Sequence, residues 1–387
     1  MEPRRSERIE FLEQSDIRRM SRECARVGGI NLGQGICPLP SPPEVLEGAA
    51  EAIREDRSTY SPYEGIPRLR EQLVDKLAAH NGLEVDPDAG LAVTVGSTGA
   101  FASAVQGLFD RGDEFVLLEP YYGYHLNAIR SSECRANFVS LEPPDWEIDR
   151  QELEEAIGPK TQAIVVNTPV NPSGKVFSRS ELETIADVCR EQDLLAITDE
   201  IYEYFLYDGR EHVSLASLPG MFERTVTISG FSKTFAITGW RLGYAAGPPE
   251  LMEAVGLVND IHYVCAPTPL QHGVARAMER LSEDYYREMA ERFEERRDFI
   301  CEALEDAGLA PHFPEGAYYV LADVSKLGCE TDRQAAMRLL EEGGVASVPG
   351  SAFYADEEST GLVRFCYAVE WEVLERAAEA LVGTFGG

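Results

Sequence analysis

Lys233 lies in the run Gly230-Phe231-Ser232-Lys233-Thr234-Phe235-Ala236-Ile237-Thr238-Gly239-Trp240-Arg241-Leu242-Gly243-Tyr244, an apolar stretch flanked by glycines. An amine withdrawn from water in such a loop loses basicity, falling from about 10.4 toward neutrality, which is the shift a nucleophilic amine needs. The chain has only five lysines, so one placed here is notable. Three other short segments carry groups able to act with it. Asp199-Glu200-Ile201-Tyr202 offers a carboxylate and, three residues on, a phenol that can reach a common ligand. Thr168-Pro169-Val170-Asn171-Pro172-Ser173-Gly174 holds an amide between prolines that stiffen its loop. Gly96-Ser97-Thr98-Gly99-Ala100 is small enough for backbone N–H groups and a helix dipole to face an anion such as phosphate. Singly, each segment also reads as an ordinary turn, a solvated acidic loop or a solvent-facing lysine.

All four follow short apolar runs rich in β-formers: LAVTV (91–95), TQAIVVN (161–167), LLAIT (194–198) and RTVTIS (224–229). EFVLLE (114–119) and RLGYAAG (241–247) are of the same kind, and helical patterns over 100–109 and 179–191 separate many of these runs. The alternation predicts an α/β core with a mostly parallel sheet covered on both faces. In such sheets ligands bind beyond the carboxyl ends of the strands, where the four segments fall. Residues 282–307 read as one long amphipathic helix, followed by YYVLADV (318–324), GLVRFCYA (361–368) and a last helix over 370–384. These predict a second, smaller α+β domain. CPLPSPPEV (37–45) reads as an extended linker.

With 387 residues, 44% of them hydrophobic, the chain has material for two or three domains and a large core, which excludes disorder. Its 67 acidic and 35 basic residues leave a formal net charge of −32, so nucleic acid and acidic membranes are not expected partners. Small molecules are. Carboxylate excess with few lysines fits a protein working in high salt, where screening relieves self-repulsion; a GC-rich genome explains the lysine deficit but not the acid excess. The uncharged stretch 91–109 contains too many small polar residues for a membrane span and reads as strand, turn and helix. Eight cysteines show no CxxC or zinc-ligand spacing and read as reduced thiols. No HExxH, P-loop or GxGxxG after a strand occurs, and no metal is expected. The charged N-terminus lacks the apolar core of a signal peptide, which makes a cytoplasmic enzyme the expectation.

In this order and spacing, the four segments resemble the class I/II aminotransferases among the fold-type I pyridoxal 5′-phosphate (PLP) enzymes, in the aspartate/aromatic/kynurenine branch, over nearly the whole chain. SKTFAITGWRLGY, with Lys233 eight residues before Arg241, is the most specific stretch, and NTPVNPSG and DEIY support it. The resemblance implies an N-terminal segment (1–45) joining the small domain, a large PLP-binding domain (46–280) and a small C-terminal α+β domain (281–387). It implies that Lys233 holds PLP as a Schiff base and then shuttles the proton between substrate Cα and cofactor C4′. Asp199 would keep the pyridine nitrogen protonated, and Asn171 and Tyr202 would bond the ring's 3′ oxygen. Arg241 would clamp the phosphate with Ser97 and Thr98. Tyr122, in EPYYGYH (119–125), would stack on the ring, with a packed core tyrosine as the lesser alternative. Arg364, in GLVRFCYA, would grip the substrate α-carboxylate beside Asn171, and Gly35, in NLGQG (31–35), would close over it with its N–H. Tyr60, in TYSPYEGIPRLR (59–70), would reach the phosphate of the neighbouring subunit, implying a homodimer with shared active sites.

The implied activity is transfer of an amino group from an L-amino acid to a 2-oxo acid by a ping-pong route. A cysteine-S-conjugate β-lyase would need the same lysine and ring, and a non-catalytic PLP-binding regulator is a further alternative. Gly230 stands where some branches carry a phosphate-binding serine, which leaves that task to Arg241, backbone groups and Ser229 or Ser232. With tyrosine rather than tryptophan at position 122, specificity for dicarboxylates alone is not expected.

Overall fold

LAVTV carries only apolar or β-branched side chains, and in the computed structural model, which describes residues 6, 9, 15–35, 37, 39–356 and 358–386, a strand covers the same five residues. A two-residue strand β1 (Ile30–Asn31) precedes seven that form the main sheet. These are β2 (Leu91–Val95), β3 (Glu114–Glu119), β4 (Arg135–Ser140), β5 (Thr161–Asn167), β6 (Leu195–Asp199), β7 (Thr225–Gly230) and β8 (Leu242–Ala246). Their spatial order is β2-β8-β7-β6-β5-β3-β4. Every strand runs in one direction except β8, which is antiparallel to both neighbours. The α/β fold with a mostly parallel sheet is therefore as expected.

Three departures from the sequence reading have local causes. β4 escapes detection because RANFVS is a half-exposed edge strand without a continuous apolar run. The helix expected over 100–109 begins at Gly96, directly after β2, so GSTG is its first turn rather than a connection to it. The linker expected over 37–45 ends early: Pro43 opens the helix Pro43–Arg54, since a proline at the first helical position surrenders an N–H that would have no partner anyway. Pro38 lies outside the described residues.

After the long helix Glu283–Asp306 come β9 (Ala310–His312), β10 (Tyr319–Asp323), β11 (Val345–Ala346), β12 (Val348–Pro349) and β13 (Leu362–Cys366). An antiparallel sheet, β12-β13-β10-β9, is covered by that helix and by Trp371–Phe385 through Phe293, Ile300, Leu304, Val320, Val363, Phe365, Leu374 and Leu381. Each such fully buried side chain contributes roughly 1.5–3 kcal/mol. β1 pairs in parallel with β11, which ties residues near the two chain ends together. Leu321 and Leu362 pack into the core beneath the main sheet, so the two sheets share apolar contacts. All eight cysteines are free thiols, six of them buried. Among the described residues no helix is long and apolar enough to cross a membrane.

Candidate active site

Strand register converges the four segments. Asn167 of β5 pairs with Asp199 of β6, and Asp199 with Ile228 of β7, so the loops that follow leave the sheet along one edge. β8 starts at that same edge because it runs the other way: Leu242 pairs with Val95, and Gly243 with Gly230. Arg241 is thereby set beside the helix Gly96–Leu108.

Asp199 is buried, and its Oδ2 lies 2.9 Å from His125 Nε2 while Oδ1 accepts from the Ile201 N–H at 3.2 Å. His125, also buried, comes from the first turn of the helix Gly123–Ser131 and stacks on Phe101 at 4.5 Å between centroids. Tyr122 meets the His125 ring edge-on at 5.4 Å and stacks with Tyr124 at 5.2 Å. His125 was not singled out from sequence. Its one signal is that it stands three residues after Tyr122 in EPYYGYH, a spacing that joins them across a helix start.

Lys233 lies close by. Burial pulls its ammonium down from 10.5 to about 8, an effect partly offset by Cys366, Cys37 and Asp199 and reinforced by Arg241. Its Nζ donates to the Gly35 carbonyl at 3.2 Å and lies 5.9 and 5.5 Å from the Tyr202 and Tyr318 ring centroids. The Tyr202 and Tyr319 hydroxyls are 3.0 Å apart. Burial drives both phenols up, Tyr319 to about 12 and Tyr202 well above its usual value, so both are neutral hydrogen-bonding groups at ordinary pH. Tyr318 and Tyr319 read from sequence only as strand residues.

Arg364, 0% exposed, projects from β13 with its guanidinium 4.3 Å from the Tyr319 ring centroid and 4.9 Å from that of Phe353. Nη1 donates to Asn171 Oδ1 at 2.9 Å and Nη2 to the Gly33 carbonyl at 2.6 Å, while Nε is buried without an acceptor among the described residues. The NLGQG segment thus touches two of the site's cations through carbonyls, Gly33 on Arg364 and Gly35 on Lys233. A Cβ at Gly35 would run into the Tyr319 hydroxyl.

The helix Gly96–Leu108 has no side-chain cap, which leaves its first N–H groups open; Ser97 is half-buried there and Thr98 exposed. Arg241 adopts the left-handed conformation (φ 55°, ψ 53°), costly for a residue with a Cβ, and donates from Nη1 to the Thr238 carbonyl at 2.9 Å. A Cβ at Gly96 would collide with its guanidinium. Ser229 does not face this anion cradle: its hydroxyl donates to Glu203 Oε1 at 2.7 Å. Tyr60 is 81% exposed on the single chain.

Glu200, Glu203 and His212 bring potential metal-ligand atoms within 4.8 Å of one another. Lys76 Nζ, 2.5 Å from Glu203, already supplies the positive charge there. By contrast, a carboxylate anchored by histidine, an aromatic face, an amine of lowered pKa and an arginine at an open helix N-terminus can hold a flat, phosphorylated carbonyl compound. The residues present fit PLP.

The chain matches the family Aminotransferase class I and II over residues 27–381. It is 35% identical to aromatic-amino-acid aminotransferase 2 of Thermococcus litoralis over 97% of both chains, and 33% identical to human kynurenine–oxoglutarate transaminase 1 over 91% of both. Among solved structures, the N-succinyldiaminopimelate aminotransferase of Mycobacterium tuberculosis superposes with a TM-score of 0.94 at 33% identity, covering 98% of this chain and 100% of that one. The aspartate aminotransferase of Thermus thermophilus with maleate gives 0.91 at 34% identity, covering 99% and 100%. Likeness of this extent, in sequence and in fold, shows that the chain belongs to the class I and II aminotransferases, in the fold-type I branch of the PLP-dependent enzymes.

Proposed function

We propose that the protein is a PLP-dependent aminotransferase that moves an amino group from an L-amino acid to a 2-oxo acid by a ping-pong route, as a homodimer with shared active sites. The observation that carries this reading is the environment of Lys233: an amine with its pKa lowered to about 8, in a site that also holds the Asp199–His125 pair and Arg364. When bound, PLP supplies an electron sink for the charge that develops when the substrate Cα loses its proton. Lys233 Nζ takes that proton and returns it, a task suited to a base titrating near working pH. Asp199, held by His125, would place a negative charge for the cofactor's ring nitrogen, and Tyr122 would provide a face for the ring. Asn171 and Tyr202 would orient its phenolic oxygen. Arg241, Ser97 and Thr98 would hold its phosphate at the helix N-terminus, joined by Tyr60 of the partner subunit.

Arg364 recognises what every donor shares, the α-carboxylate: its planar fork is fixed between two rings, and Nε still lacks an acceptor. Gly35 closes over that carboxylate. The relatives are named for aromatic, kynurenine, aspartate and N-succinyldiaminopimelate substrates, and the feature common to these names is an α-amino acid.

Mixing the PLP-loaded protein with single L-amino acids and no acceptor tests the reading. One equivalent of 2-oxo acid per subunit, and then no more until an acceptor is added, is the expected result, with the fastest amino acid naming the donor class. Continuous release of pyruvate and ammonia without acceptor would make the protein a β-lyase instead. No reaction with any amino acid would leave a PLP-binding regulator.

A further inference from the structure

The turn that presents Asp199 and Tyr202 to the site has a second face, which is polar and buried. Backbone bonds from Glu203 N to the Glu200 carbonyl (3.0 Å) and from Phe205 N to the Tyr202 carbonyl (2.8 Å) wind it, so residues three apart share a side. Asp199 and Tyr202 lie on one side, Glu200 and Glu203 on the other; Glu200 is 0% and Glu203 2% exposed. All four carboxylate oxygens are engaged. Glu200 Oε1 accepts from Thr198 Oγ1 at 3.0 Å and Ser214 Oγ at 2.8 Å; Oε2 accepts from Asn81 Nδ2 at 3.0 Å and lies 2.8 Å from His212 Nε2. Glu203 Oε1 accepts from Ser229 Oγ at 2.7 Å, and Oε2 from Asn81 Nδ2 at 2.9 Å and Lys76 Nζ at 2.5 Å. Lys76 donates further to Asn81 Oδ1 at 2.8 Å and to the Tyr244 hydroxyl at 3.0 Å.

These partners come from the end of the helix Pro67–Lys76 and the turn Leu77–Asn81, from β6, β7 and β8, and from the loop at 212–214. The turn is therefore tied to β6, β7 and the helix end by charge-assisted bonds, which are short and directional, and through Lys76 to β8. Burial alone would raise Glu203; Lys76, His80 and His212 outweigh it and hold the carboxyl at about 2, so it stays ionised. A buried ion pair is weak evidence for added stability, and its best-attested use is to fix one arrangement.

We propose that Lys76, Asn81, Glu200, Glu203 and His212 form a positioning lattice that sets the place and orientation of Asp199 and Tyr202 against bound PLP. The lattice acts through the turn at 199–204 and touches no reacting group. The inference rests on the PLP-dependent function proposed above.

The test uses the full-length protein carrying Lys76→Met/Glu203→Gln, which leaves no lattice ammonium facing a neutralised Glu203. The readouts are the PLP dissociation constant, the absorbance spectrum of the PLP-loaded protein, kcat and KM, and the melting temperature without PLP. PLP affinity and kcat are each expected to fall about tenfold, with a redistributed visible spectrum and a KM for the amino donor within about twofold of wild type. In an Asp199→Ala/Tyr202→Phe background the same pair of changes is expected to cost little further PLP affinity, because both positioned groups are gone. Should the double variant fail to fold, Ser229→Ala, which removes the hydroxyl's bonds to Glu203 Oε1 and to the Glu200 carbonyl, carries the test, with an expected loss in PLP affinity of about two- to threefold. A lower melting temperature with unchanged PLP affinity, spectrum and kcat overturns the proposal, as does an undiminished loss in the Asp199→Ala/Tyr202→Phe background or an unaltered Ser229→Ala protein. If the wild-type protein itself takes up no PLP, the functional reading fails first and the lattice inference falls with it.

Discussion

At the residue scale the chemistry turns on two cations in unlike surroundings. Lys233 loses its proton near pH 8 in the folded chain and near 10.5 in the unfolded one. Between these values the unfolded state binds more protons, so stability rises with pH across that window, and below it the buried ammonium is a full penalty. Lys233→Met is therefore expected to stabilise the PLP-free protein at pH 7 by roughly 3 kcal/mol, read from its denaturation midpoint, while amino transfer falls by about 10^3-fold or more. A midpoint that does not rise would show that the ammonium is well solvated. Arg364 is the reverse case, a cation whose charge the proposed carboxylate binding would use. Arg364→Ala is expected to raise the KM for amino donors by about 10^2-fold while PLP affinity stays within about twofold. An unaltered KM would assign carboxylate binding elsewhere.

At the element scale, what counts is where strands end and how closely helices approach them. The antiparallel direction of β8 brings Arg241 to the start of the helix Gly96–Leu108, and two glycines permit the approach: Gly96, at φ 72°, leaves room for the guanidinium, and Gly243 for the Ser97 backbone. Gly96→Ala is expected to weaken PLP binding by about tenfold, measured by equilibrium titration, because its Cβ is strained by the backbone and displaces Arg241. Unchanged affinity would place the phosphate away from this cradle. Strand positions were legible where a run such as TQAIVVN has a continuous apolar centre, Ala163 to Val166, since that stretch is buried on both faces. β4 and the two-residue strands were not, because edge and very short strands carry too few buried residues to leave a pattern.

On the scale of the whole molecule, charge and assembly dominate. A net charge of −32 makes self-repulsion the main long-range force on the folded chain, so the denaturation midpoint is expected to rise between dilute buffer and molar salt. A flat response would remove the high-salt reading. Exposed apolar side chains at Leu257, Ile261, Tyr263 and Val264, and Tyr60 at 81% exposure, are surfaces a second subunit would cover. Sedimentation is expected to show a dimer, and Tyr60→Phe to leave the dimer intact while lowering PLP affinity about three- to tenfold through a lost phosphate bond. A monomeric wild-type protein with full activity would refute shared sites.

Residue type and strand-length periodicity are local properties, so Lys233, Asp199, Tyr202, Asn171, Arg241 and Arg364 could be singled out as candidates from the amino-acid order alone, most of them next to apolar runs. Their partners, by contrast, follow from long-range packing. His125 reaches Asp199 across 74 positions, Gly33 meets Arg364 across 331, and Glu203 finds Lys76 across 127. Such contacts depend on strand order, register and the reversed direction of β8, none of which a single chain's periodicity encodes. The same holds for the buried side of the DEIYE turn: exposed carboxylates are the general rule, and only the packed neighbours at Lys76, Asn81 and His212 make Glu200 and Glu203 interior residues.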